Sequence, residues 1–89
     1  MIEVTLLKVV SGDRLLVGFS DGRTGEFDAR ALLGEDGSLV EPLRDPAYFA
    51  RAFLEAGAPT WPNGFDIAPQ WLHETMADQG LLQMPQTAA

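Results

Sequence analysis

Between Thr60 and Pro69 the chain reads Thr-Trp-Pro-Asn-Gly-Phe-Asp-Ile-Ala-Pro, and no uninterrupted strand or helix can pass through it. Pro62 holds its own φ and presses Trp61 into extended backbone, while Asn63 and Gly64 accept the positive φ of a tight reversal. A strand therefore has to end at Trp61. Asp66 and Pro69 then read as a helix entry, with the Asp66 carboxylate as an N-cap for the amide of Ala68, since Pro69 has no N–H to offer. Ahead of this hinge the sequence predicts short strands cut by turns; behind it, one helix.

Ile2 to Val10 reads as a strand whose apolar alternation changes phase at Leu6-Leu7, which a bulge near Leu7 would explain. After the turn at Ser11-Gly12-Asp13, a second strand from Arg14 to Phe19 puts Leu15, Val17 and Phe19 on one face. Asp21-Gly22 signals a hairpin into a third strand, Thr24 to Asp28. A three-residue loop with Gly22 left-handed places Phe27 opposite Leu15 and gathers the apolar side chains on a single face; a two-residue loop would not. Ala29 to Leu33 has room for one helical turn before Gly34.

From Ala47 to Ala56 the pattern fits either a helix, with Phe49 and Phe53 four apart, or alternating strands turning at Gly57-Ala58-Pro59. The closing helix is expected from Ala68 to Gln79, with Ala68, Trp71, Leu72, Thr75 and Met76 on its buried stripe and Gln70, His73, Glu74 and Asp78 facing water. Gly80 is the expected stop. These elements predict one α+β domain over residues 1–82: a small antiparallel sheet built from hairpins, with a C-terminal helix packed on it and a flexible tail over 83–89.

Eighty-nine residues hold a single core, and 46% hydrophobic content is that of an ordinary globular chain. The absence of cysteine excludes disulfides and thiolate metal sites, and with no apolar run near the roughly 20 residues of a membrane span, a cytoplasmic protein is expected. Thirteen acidic against six basic side chains give a net charge of −7, which repels phosphate backbones and anionic membranes. Direct nucleic-acid or membrane binding is not expected.

Gly18-Phe19-Ser20-Asp21-Gly22 fits the G-x-S-x-G pattern of a nucleophile elbow, and Asp66 and His73 follow in the matching acid and base order. The elbow requires a strand-turn-helix within a large parallel sheet, whereas Ser20 lies in a strand-turn-strand hairpin of a short chain, so turn chemistry is the favoured reading. His73-Glu74 lacks a second histidine four residues on, and the acidic loop Glu35-Asp36-Gly37-Ser38 lacks the ligand spacing of a calcium loop. No catalytic residue, metal or cofactor is therefore expected. Trp61 is read as locking the turn against Trp71 and Leu72, or else as a binding platform; Asp66 as a cap, or else as a carboxylate for a basic partner.

Phe19-Ser20-Asp21-Gly22 with Asp28, followed by Trp61-Pro62-Asn63-Gly64-Phe65-Asp66 with Pro69, resembles the bacterial family known as domain of unknown function 2442. The likeness covers about residues 2 to 75 and includes Pro42-Leu43, Phe49 and Leu72. It implies a small α+β domain with no established activity or cofactor, and it favours the hairpin for the ambiguous segment. Some relatives carry an added helix-turn-helix region and are regarded as DNA-binding regulators; others are encoded beside small proteins thought to be toxins. The expectation is thus a non-catalytic protein-interaction module, antitoxin-like, whose partner is a small toxin-like protein or a second copy of the chain, bound through a sheet edge or the Trp61 surface. The alternative is an accessory domain of a transcriptional regulator that contacts DNA only through a partner or assembly.

Overall fold

In the computed structural model, which describes residues 1–84, three antiparallel strands lie side by side in chain order: β1 (Val4–Ser11), β2 (Arg14–Phe19) and β3 (Thr24–Asp28). Leu15 stands opposite Phe27 and Val17 opposite Gly25, the register expected from a three-residue loop with a left-handed glycine, and Gly22 has φ 88°. Leu15, Val17, Phe19 and Phe27 are buried together as a result.

The first strand begins at Val4 rather than Ile2, and its extra residue is Thr5 rather than one near Leu7: Val4 pairs with Phe19 and Leu6 with Gly18. Thr5 tolerates the unpaired position because its hydroxyl donates to the Gly18 carbonyl at 3.4 Å. Since one residue of slip exchanges the two faces of a strand, this bulge sends Leu7 and Val9 to the core side and Leu6 away from it. A second irregularity between Val9 and Ser11 leaves Val10 outside the ladder. Leu6 and Val10 are consequently 47% and 49% exposed.

The middle of the chain is made of short pieces. The single turn α1 (Arg30–Leu33) is followed by a 3-10 turn over Glu41–Arg44 and by α2 (Pro46–Phe49), where the Asp45 carboxylate accepts from the Ala47 amide at 3.1 Å. The ambiguous stretch thus divides: one helical turn that buries Phe49, then a hairpin of β4 (Phe53–Glu55) and β5 (Ala58–Thr60). Its two-residue loop has both Ala56 (φ 51°) and Gly57 (φ 78°) left-handed, the pattern of a type I′ turn. The Val4 amide donates to the Gly57 carbonyl at 2.8 Å and ties this hairpin to the edge of β1.

Helix α3 (Pro69–Asp78) starts one residue later than expected. Its N-cap is Ala68, in extended backbone, and no side chain caps it; Asp66 instead pairs across to Thr60. Pro69 occupies the first turn, where a missing donor costs little. At the far end Gly80 (φ 70°) closes a Schellman motif, with the Leu81 amide on the Met76 carbonyl and the Gly80 amide on Ala77.

Leu72 and Met76 of α3 complete a core with Val4, Leu43, Phe49, Trp61, Ile67 and the sheet residues. Beyond Gly80 the chain returns to the sheet: Gln83 and Thr24 exchange both backbone hydrogen bonds, so the tail expected to be free from Gln83 onward is anchored at its first residue, and residues 85–89 of it lie outside the described part. Gly25 makes this docking possible, because a Cβ there would stand 2.3 Å from the Leu81 carbonyl oxygen. No helix among the described residues is long and apolar enough to cross a membrane.

Candidate functional site

The two motif segments, distant in sequence, build the same turn. In each, a buried aromatic residue accepts from a glycine three positions on (Gly22 to Phe19, Gly64 to Trp61) and donates to the residue after that glycine (Phe19 to Arg23, Trp61 to Phe65). The third position is Asp21 in one and Asn63 in the other, and each side-chain oxygen accepts the amide two residues ahead, at 3.0 Å from Arg23 and 3.1 Å from Phe65. With Asn63 at negative φ and Gly64 at 90°, the second turn is a type I reversal followed by a left-handed glycine, as in the first.

The second polar atom of each Asx side chain reaches into another part of the molecule. Asn63 Nδ2 donates to the Leu39 carbonyl at 2.9 Å, holding the long loop after α1. Asp21 Oδ2 accepts from His73 Nε2 at 2.8 Å, joining the β2–β3 turn to α3. The Arg23 amide, and after it His73, hold the Asp21 carboxyl below its ordinary value.

His73, expected to face water, lies against the sheet with its ring edge-on to Phe19 at 4.9 Å. The helix is correspondingly rotated, and Trp71, expected in the buried stripe, is 47% exposed. Trp61 packs against Phe49 and Phe65 rather than Trp71, at 5.6 and 5.9 Å between ring centres, and its Nε1–H donates to the Phe49 carbonyl at 3.0 Å. It is fully buried, so it presents no platform to a ligand or partner.

The Ser20, Asp66 and His73 side chains do not form a relay. The Ser20 hydroxyl accepts from the Glu3 amide at 3.1 Å, His73 is held by Asp21, and Asp66 stands in the hairpin opposite Thr60. Asp28 accepts from the Arg30 amide and grips the Arg30 guanidinium through both oxygens, at 2.6 Å from Nη2. Those bonds bring its carboxyl down to about 2.

Two surface clefts, about 470 and 500 Å3 in volume, contain arginines. In both the cations are already engaged: Arg44 donates to the Leu33 and Glu35 carbonyls, and Arg30 and Arg14 face Asp28. Neither cleft offers a free cationic clamp for an anion.

A family model matches residues 4–75, a span that includes both turns, to the family described as Protein of unknown function (DUF2442). The chain belongs to that family. No curated protein and no solved structure is matched by it. Phe19, Asp21, Gly22, Asp28, Trp61, Pro62, Asn63, Gly64 and Pro69, the residues that carry the resemblance in the sequence, are occupied with turns, local hydrogen bonds and core packing. Asp66 differs: its carboxylate is exposed and caps nothing.

Proposed function

We propose that this member of the family is a non-catalytic, cytoplasmic interaction module that binds a small basic protein, in the manner of an antitoxin holding its toxin. The reading rests above all on the edge of β1 beyond Val4, whose amide is already bonded to the hairpin. Its outward residues Leu6 and Val10 are about half exposed, and β4, tied alongside, leaves Phe53 and Leu54 exposed at 44% and 37%. Apolar side chains along an unpaired strand edge suit the addition of a strand from another chain, with main-chain bonds supplying affinity and side chains selectivity. Lys8 between Leu6 and Val10 discourages indiscriminate edge pairing. The net charge of −7 selects a basic partner and favours fast encounter with it.

Co-expression with the product of the adjacent open reading frame, followed by mass measurement in solution, tests this reading. A stoichiometric complex that Leu6→Asp or Val10→Asp abolishes is the expected result. A monodisperse monomer with no complex overturns it, as does tight binding of the isolated chain to random DNA at low salt, which would favour a regulator.

A further inference from the structure

We infer that the ridge formed by the exposed Trp71 and the partly buried Leu32 is a receptor for an arginine side chain of a partner chain. Two small clefts share these residues as a common wall; Phe65, Ile67 and Asp66 line the first, and Phe27 and Glu35 contribute to the second. Their volumes, about 180 and 130 Å3, fall short of the roughly 300 Å3 at which pockets for whole small molecules begin, so the fitting occupant is a side chain. Phe27 meets the Trp71 indole edge-on at 6.2 Å, which orients the ring while nearly half of the residue stays open to water.

Charge decides the chemistry of the guest. Asp66 and Glu35 make no side-chain ion pair among the described residues, whereas Asp28, also on the second cleft, is already held by Arg30 and Arg14. No arginine or lysine lines either cleft, whereas Asp66 lines the first and Asp28 and Glu35 the second. A cation is therefore the complementary guest. Arginine suits the site better than lysine, because a planar guanidinium stacks on indole and bonds a carboxylate through a fork, while its methylene stem covers apolar surface such as Leu32. Asp66, the family-pattern residue without a structural task, gains one here.

This site is independent of the β1 edge, and its test uses the purified chain alone. The probe is the capped peptide Gly-Arg-Gly, with Gly-citrulline-Gly as an uncharged counterpart of the same shape, followed through the two indole N–H resonances. Saturable movement of the Trp71 resonance is expected, with that of Trp61 stationary because its N–H is bonded inside the core. Citrulline should bind at least about fivefold more weakly, and Asp66→Asn should weaken the arginine peptide about fivefold, as for a partly exposed ion pair. No saturable movement at Trp71, equal response to citrulline, or undiminished binding by Asp66→Asn overturns the inference.

Discussion

His73 on α3 and Asp21 in the β2–β3 turn meet at 2.8 Å, across 52 positions of sequence, and this bond sets which face the helix turns to the sheet. With His73 drawn inward beside Phe19, Leu72 and Met76 fill the core and Trp71 is carried outward. His73→Ala should lower stability by about 1–2 kcal/mol, the sum of a side-chain hydrogen bond and an edge contact. In a domain of this size that corresponds to a fall in Tm of roughly 4–8 °C per kcal/mol. A double-mutant cycle with Asp21→Ala should return a coupling of about 0.5–1.5 kcal/mol; additivity would mean that the pair is incidental.

Asn63 serves two segments, and substitutions can separate its roles. Asn63→Asp keeps the acceptor for the Phe65 amide but sets a carboxylate oxygen against the Leu39 carbonyl, whereas Asn63→Ala loses both bonds. Each should cost about 1–2 kcal/mol in chemical denaturation. Only the aspartate variant should regain stability as acid neutralises its side chain.

Ala56 is the one non-glycine residue of the described chain at positive φ, in a turn type that favours Asn-Gly. The left-handed conformation costs a residue with a Cβ about 1–2 kcal/mol, and asparagine recovers part of that through its own local hydrogen bonding. Ala56→Asn should therefore raise Tm, by about 0.5–1 kcal/mol of added stability. A lower Tm would show that the hairpin adopts another turn.

Gly25→Ala should release the segment that follows α3. Its Cβ would collide with the backbone oxygen of Leu81, and backbone cannot move aside as a flexible side chain can. A loss of about 1–3 kcal/mol is expected, as for overpacking elsewhere. Hydrogen exchange should accelerate at Thr24 and Gln83, whose amides bond each other's carbonyls, before it does in β2.

Asp28 gives a pH signature. Its folded value of about 2 lies below the ordinary 3.8, chiefly through its side-chain and backbone bonds with Arg30, so its contribution is complete above the ordinary value and is lost as pH falls through the folded one. Wild type and Asp28→Asn should differ in Tm near neutrality and converge between about pH 4 and pH 2. A difference independent of pH would assign the effect to shape rather than charge.

The turn residues declared themselves in the sequence because their constraints are local. A glycine that must be left-handed, an Asx oxygen two residues from an amide and a proline without a donor act within four or five positions, and from them follow the β2–β3 register, the hinge at Trp61 and the stop at Gly80. What α3 buries is not local. Ala68, Trp71, Leu72, Thr75 and Met76 form a reasonable apolar stripe, but a stripe does not encode its rotation; that was decided by Asp21 reaching His73 and by Phe27 and Phe19 occupying the sheet beneath. Likewise Asp66 had the spacing of a cap, and only the pairing of its backbone with Thr60 withdrew it from that role and left its carboxylate at the surface. The sequence alone determined where this chain bends, since bending is a property of neighbouring residues. Tertiary structure alone decided which side chains remain for a partner, since exposure is what is left after distant elements have covered one another.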